Sequence, residues 1–328
     1  MTASIRCTEN VKPGSIKQTS TWDFDEQATL LQGWNQQYRQ ISPGAFHGVI
    51  SELLFDDIHL FQEFTSRALF QSGKLAAETI AIGIPLATDG NGLFCGTAMH
   101  ASSVHVFSGT DGFEFFSPTG LKMGGIVVPR DALLDRLPAS SQAAVLASTS
   151  HAHLKAVQPE KIHAAREFMH SSFELCQKSP ALLQNRNFRR QLREITLANV
   201  AEILSEDQVT EEEIHLAPQR RCRIVMQARD HLHGTIDNCV SVESLCMAVG
   251  VSRRTLQYCF QDLLGMNPVA YLRAERLNGV RHMLKEAHSV TDAATAWGFW
   301  HFGHFSQEYK KMFGELPSVT FRRLHQLN

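Results

Sequence analysis

An α+β chain built from two unlike domains is predicted by three features of the sequence. Turn signals recur through residues 41–129, helical apolar stripes run through residues 130–204, and a helical motif occurs twice in the last hundred residues. At 328 residues the chain is too long for one small module, given roughly 150 residues per domain. With 43% hydrophobic and 20% charged residues it has the means to build ordinary cores. The expected division is a flexible N-terminus over 1–20, a β-rich domain with trailing helices over 21–204, an acidic linker over 205–221, and an all-α domain over 222–328.

Within the first domain, Asp25–Gln40 carries Leu30, Leu31, Trp34 and Tyr38 at helical spacing and predicts a helix. Beyond it SPGAF (42–46), FDD (55–57), TDGNG (88–92), GTDG (109–112) and SPTG (117–120) cut short apolar runs, the texture of a β-sandwich or jelly roll. Ile80, Ile82 and Ile84 alternate with small residues, as a half-buried strand requires. Asp131–Leu137 and Ser141–Ala147 read as short helices. Pro159 opens a longer one with a stripe of Ile162, Ala165, Phe168 or Met169, Phe173 and Cys176, and Arg186–Leu204 forms another with Leu192, Ile195, Val200 and Ile203 on one side. These two helices pack either on their own sheet or against a second subunit. The stretch SEDQVTEEEIHLAPQ (205–219) is acidic, as a solvated linker is.

The repeat is the most informative feature. VESLCMAVGVSRRTLQYCFQDLLGMNP (242–268) is followed by VTDAATAWGFWHFGHFSQEYKKMFGELP (290–317). Val242 and Gly250 recur 48 residues later as Val290 and Gly298, whereas Leu256, Phe260, Gly265 and Pro268 recur 49 later as Phe305, Tyr309, Gly314 and Pro317. One residue inserted in a turn accounts for the change. Each copy reads as a helix, a glycine turn and a second helix, with Ser252 placed to cap the second helix of the first copy. Leu256, Phe260, Leu263 and Leu264 take core spacing, which turns Arg253, Arg254, Gln257, Tyr258 and Gln261 outward. In the second copy Phe305, Tyr309 and Met312 or Phe313 face in, while His301, Phe302, Gly303, Ser306, Gln307 and Lys310 face out. Pro268–Leu284 forms one connecting helix, with Leu272, Arg276 or Leu277, Val280 and Leu284 as its stripe. If it sets the two second helices about 34 Å apart on one face, they match successive major grooves of DNA.

Charge agrees with that partner when counted by segment. The whole chain carries −2, but residues 219–328 hold 14 Lys+Arg against 9 Asp+Glu, leaving 17 against 24 for the remainder. A C-terminal balance of +5 beside −7 is the asymmetry of a chain in which one domain meets phosphate.

These residues resemble the AraC/XylS family of bacterial transcription regulators, whose signature spans roughly Arg223–Leu324; GFWHFGHFSQEYKKMFGELPSVTFRR is its most specific stretch. NQQYRQISPGAFHGVISELLFDDIHLFQEFTSRALFQS (35–72), VSRRTLQ and WGFWHFGHF look similar to the ethanolamine-operon branch, and related pseudomonad regulators act in quorum sensing and virulence. The resemblance implies a cupin-like N-terminal sheet with dimerisation helices, a double helix-turn-helix domain, and a homodimer on double-stranded promoter DNA, with RNA polymerase and a small-molecule effector as further partners. It places base-reading positions on Arg254, Gln257 and Tyr258, and on Phe302, Gly303, Ser306 and Gln307. Phe302 and Gly303 depart from the polar pattern of the family and cannot make bidentate contacts, so the first helix is expected to carry most of the specificity. Arg253, Arg254 and Lys310 supply charge to phosphates or guanines, and Gln257 has the geometry for adenine.

Other chemistries find little support. The seven cysteines include no C-x-x-C pair, His100 and His105 stand five apart without a metal-ligand pattern, and His151-x-His153 falls past the sheet. Asp56–Asp57 reads as a hairpin turn rather than a carboxylate pair, and no G-x-S-x-G elbow occurs. No cofactor, metal or catalytic activity is expected. The alternative is an N-terminal catalyst or protein-interaction module tethered to DNA by the C-terminal domain. For an effector, Trp22, Trp34, Phe46 and the Phe113–Phe116 cluster are candidate pocket walls, though each is more often core. No apolar run approaches the roughly 18 residues needed to span a bilayer and MTASIRCTENVKPGS has no hydrophobic signal, so a cytoplasmic chain without a membrane partner is expected.

Overall fold

The computed structural model describes residues 14–109, 111–205, 216–234 and 240–326. The chain opens with β1 (Ser15–Thr21), α1 (Phe24–Leu30), β2 (Trp34–Gln40), β3 (Gly48–Phe55), β4 (Ile58–Thr65), β5 (Leu69–Leu75) and β6 (Thr79–Ala87). It continues through the short β7 (Leu93–Phe94) and β8 (Thr97–Ala98), then β9 (Ser103–Ser108), β10 (Phe113–Ser117) and β11 (Leu121–Pro129). Next come α2 (Arg130–Leu134), α3 (Ala139–Ser148), β12 (His153–Ala156), α4 (Pro159–Lys178), a 3₁₀ turn over Pro180–Gln184, and α5 (Arg186–Ser205). The C-terminal part is helical: α6 (Leu216–Gly234), α7 (Val242–Val249), α8 (Arg253–Leu264), α9 (Pro268–Met283), α10 (Val290–Ala296), α11 (Phe302–Phe313) and α12 (Pro317–Gln326).

The strands form two antiparallel sheets, one ordered β1-β3-β4-β11-β6-β9-β12 and the other β2-β5-β10-β7-β8. Alternation along the strands explains how the larger sheet serves two cores. Ile80, Ile82, Ile84, Val104, Val106, Ile126 and Val128 point to one side and pack with Ile162, Met169, Phe173, Leu197 and Val200 of α4 and α5. Ala81, Phe107, Leu121 and Met123 point to the other and meet Phe94, Phe113 and Phe115 of the smaller sheet. β6 is therefore buried on both faces, not one. The helices α4 and α5 cover their own sheet, and Arg189 and Arg193 of α5 tie down the β3–β4 turn through Asp56 (3.0 Å) and Asp57 (2.6 Å).

Four further expectations need correction. Asp25–Gln40 is not one helix: Gly33 at φ +75° breaks it, and Gln36, Tyr38 and Gln40 alternate inward as a strand. The spacing of Trp34 and Tyr38 fits a strand as well as a helix, and the buried alternate glutamines between and after them decide for the strand. Residues 15–20, expected within the flexible terminus, form most of β1 and pair with β3 from Ser15 opposite Leu54 to Thr21 opposite Gly48; residues 1–13 lie outside the described residues. Residues 216–221, expected in the linker, begin α6, while 206–215 lie outside the described residues. His153 belongs to β12, paired with β9.

The helical domain is docked on the smaller sheet and the segments that flank it, where its two halves share cores with different residues of the N-terminal domain. Ile41, Ala68, Phe70 and Phe116 join Val225, Leu245, Phe260 and Tyr271, whereas Phe24, Tyr38 and Phe46 join Leu277, Phe305, Tyr309 and Phe313. β2 is an edge strand, and Asn278 of α9 satisfies its end: Gln40 N–H donates to Asn278 Oδ1 (3.1 Å) and Asn278 Nδ2 donates to the Gln40 carbonyl (2.7 Å). Gln40 Nε2 in turn donates to the Met312 carbonyl at 2.7 Å. At the centre Arg281 is buried, its guanidinium 4.8 Å from the Phe24 ring and 5.2 Å from the Phe313 ring. It donates to Asp23 (2.8 Å) and Glu315 (3.2 Å), both of which also bind Arg323. Burial alone would raise the Asp23 carboxyl, but Arg281 and Arg323 hold it below the usual range, and Glu315 is lowered against the same penalty by Thr320, Arg323 and Arg281.

Two stability predictions follow from buried charge. Arg281→Met leaves Asp23 and Glu315 with the Arg323 guanidinium in place of two, and should cost at most about 3–5 kcal/mol in denaturant titration, the loss for a buried charge left wholly unpaired. Because both carboxyls have lowered folded values, the stability they contribute is complete above their unfolded values near 4 and is lost as pH falls through the folded ones, so an acid titration should loosen the docking only below about pH 4. His105 gives a different window. It lies between the sheets beside Phe94 (4.3 Å) and Phe115 (4.8 Å), both ring nitrogens lack a hydrogen-bond partner, and burial pushes its value down to about 3. Below the unfolded value near 6.5 the unfolded chain gains a proton that the folded one refuses, so this residue removes about 1.4 kcal/mol per pH unit down to its folded value. His105→Leu should flatten the change in urea midpoint between pH 7 and pH 5.

Candidate nucleic-acid interface

The two repeats fold as two helix-turn-helix units with shared local physics. Ser241 and Ser289 cap α7 and α10, accepting from the backbone N–H of Ser244 and Asp292, each at 3.1 Å. Gly250 and Gly298 make the turns at φ +71°, a conformation that is cheap only without a Cβ. Ser252 Oγ then accepts from Thr255 N–H at 3.1 Å and starts α8. The second unit departs here, because His301 stands at the cap position of α11 and makes no side-chain cap bond.

The buried faces are Leu256, Cys259, Phe260 and Leu263 on α8, and Phe305, Tyr309, Met312 and Phe313 on α11. Leu264 is only partly buried. On α8, Arg253, Arg254, Gln257 and Tyr258 are exposed; on α11, His301, Phe302, Gly303, Gln307 and Lys310 are exposed and Ser306 is half-buried. Tyr258 lies under the Arg221 guanidinium at 5.1 Å, and Arg221 is fixed by Asp262 at 2.7 Å. Arg253 reaches Glu243 at 3.3 Å, with both side chains about two-thirds exposed, so the pair contributes little. α9 holds the units together: Leu277 is buried, and Arg276 donates to the carbonyls of Trp297 and Gly298 at 3.0 and 2.7 Å.

Between α8 and α11 lies an open cleft of about 870 Å³ floored by α9. It gathers Arg253 and Gln257 with Gln307, and leaves Arg254, Tyr258, His301, Phe302, Ser306 and Lys310 outside. It also gathers four groups that the sequence reading did not single out: Arg273 on α9, and His304, Glu308 and Lys311 on α11. Arg273 was legible in principle, since it falls off the apolar stripe of α9; the meeting of α9 with α11 was not.

The candidate effector walls separate. Trp34, Phe113 and Phe115 line a cavity of about 30 Å³ between the sheets, whereas Trp22 is 74% exposed and Phe46 lies in the domain interface. That cavity has room for one or two waters. The buried Glu63 faces it and accepts from Gln27 Nε2 (3.0 Å) and the Tyr38 hydroxyl (2.8 Å), and burial raises its carboxyl. Among the described residues no three His, Cys, Asp or Glu side chains gather as a metal site, and no helix is long and apolar enough to cross a membrane.

Residues 245–323 match a family of helix-turn-helix domains. A stretch of 103 residues, 30% of this chain and 31% of the relative, is 39% identical to a probable thc operon regulatory protein of Rhodococcus erythropolis. Over 105 residues, 31% of this chain and 30% of the relative, it is 36% identical to the XylDLEGF operon transcriptional activator 3 of Pseudomonas putida. The matches thus span about a third of these relatives' own length. Among solved structures, the AraC-like transcriptional activator CuxR aligns over 80% of this chain and 94% of its own, at 13% identity and a TM-score of 0.42. The C-terminal domain of the chain is a helix-turn-helix domain similar to those of operon regulators.

A Cβ on Gly250 would touch nothing within 4 Å, so the cost of Gly250→Ala is the left-handed backbone alone. It should lower stability by about 1–2 kcal/mol, read as a fall in melting temperature without loss of helical signal.

Proposed function

We propose that this protein is a sequence-specific DNA-binding transcription regulator of the AraC/XylS type, acting in the cytoplasm as a homodimer on double-stranded promoter DNA. The observation that carries the reading is the pairing of two helix-turn-helix units on α9 with the outward faces of α8 and α11 exposed. Arg254, Gln257 and Tyr258 read bases from α8; Gln307 and Ser306 do so from α11, where Phe302 meets thymine methyls or sugar and His301 and Gly303 lie against the backbone. Arg253 and Lys310 bind phosphate. Exposed Leu175 on α4 and Ile195 on α5 support a dimer through the helical layer.

An RNA polymerase contact and a small effector belong to this reading, and the matched xyl and thc regulators point toward operon control. Ethanolamine, quorum-sensing and virulence circuits are the other settings the sequence resemblance implies. Selection of bound genomic fragments at physiological salt tests the function and separates these settings: paired sites with a shared sequence support a dimeric regulator, and binding without one would reduce the domain to a tether.

Arg254→Ala should weaken binding to the selected site by roughly 1–3 kcal/mol and relax preference at one position; unchanged selectivity in competition at fixed salt rejects the assignment. Lys310→Ala should weaken all sequences alike and lower the salt slope by about one.

A further inference from the structure

We propose that the cleft between the two recognition helices is itself a phosphodiester site, with Arg273 of α9 and Lys311 and His304 of α11 holding the DNA backbone where it passes from one major groove to the next. The inference rests on the DNA-binding reading and adds to it a backbone contact from α9 and from the two α11 residues that flank Gln307 in the cleft. A duplex engaged by α8 and α11 together must carry its backbone across the gap between them, and the floor of that gap is α9.

The groups present there suit an anion. Arg253, Arg273 and Lys311 line the cleft against one carboxylate, Glu308. A carboxylate on a DNA-facing surface opposes binding unless it has another task. Here Glu308 has one: its Oε1 lies 2.9 Å from Arg273 NH1 and 3.3 Å from His304 Nδ1. Its side chain is 16% exposed while that of Arg273 is 55% exposed, so a half-buried anchor holds an outward-reaching guanidinium. Glu308 is a positioning residue that sets the Arg273 side chain before DNA arrives and reduces the ordering cost at binding.

The competing account is that Arg273 and Glu308 only tie α9 to α11. Fluorescence anisotropy separates the two, using the full chain, a labelled duplex recovered by selection, a shuffled duplex of the same composition, and salt varied from about 50 to 200 mM. Arg273→Gln should weaken both duplexes alike by roughly tenfold and flatten the slope of log K against log salt by about 0.9; exposed Lys311→Gln should do the same. Glu308→Gln should alter the affinity of the parent far more than that of Arg273→Gln, because its effect runs through that guanidinium. Matching melting curves establish that the variants are folded. An Arg273→Gln variant with the parental slope overturns the phosphate site, as does a loss confined to the selected duplex, which would make Arg273 a base reader. Equal effects of Glu308→Gln in both backgrounds overturn the positioning role. A parent chain that binds neither duplex rejects the DNA-binding reading itself.

Discussion

The guanidinium of Arg281 sits where the two domains and the second helix-turn-helix unit meet. It is stacked near Phe24 and Phe313 and bound to Asp23 and Glu315. A charge so buried is tolerated only because carboxylates from both domains surround it, and that requirement fixes their approach. Asp23 is also the cap of α1, accepting from Asp25 N–H at 2.9 Å, so the same carboxylate that ends β1 and starts α1 receives Arg281 and Arg323. Removing the arginine would therefore disturb a local cap, a domain contact and the seating of α12 together.

Arg281 lies on α9, and most of the architecture is arranged around that helix. Tyr271 packs on Phe116 and Phe260, Asn278 completes the edge of β2, and Leu277 and Val280 join the core of the second unit. The smaller sheet thus touches both units, and their relative orientation is set twice, by the helix that joins them and by the sheet beneath them. Residues of α8 and of α11 both pack into the cores shared with this domain, so a change in the sheet bears on the two helices together.

Much of this was legible in the sequence where the signal was local. The repeat, its glycines, the Ser252 cap and the inward sets of α8 and α11 are short-range patterns, and the structure places them as the periodicity requires, except that Leu264 is only partly buried. The stripes of α4 and α5 were legible too, apart from Ile195, which is exposed while Thr196 and Leu197 go inward. What failed was decided by partners distant in sequence. β1 exists because β3 offers an edge, β6 is buried on its second face because α4 covers it, and Trp34–Gln40 becomes a strand because β5 pairs with it. The cleft escaped for the same reason: Arg273 and Glu308 are 35 positions apart and no spacing rule joins them. The exposed placement of Arg254, Gln257, Phe302 and Gln307 agrees with the reading of them as contacts, and exposure alone does not test it.

The two units are similar in backbone and unlike in surface. One presents Arg253, Arg254, Gln257 and Tyr258, the other His301, Phe302, Gly303 and Gln307, and both are carried on one chain, joined by α9. A single protomer consequently has no internal twofold axis, and any duplex it grips is gripped in one sense along its length. A site for it carries an arrow, and reversing that site is a change of address even when every base is kept. Two protomers can add their arrows head to tail or oppose them. The choice decides which surface is turned toward a neighbouring molecule on the same DNA.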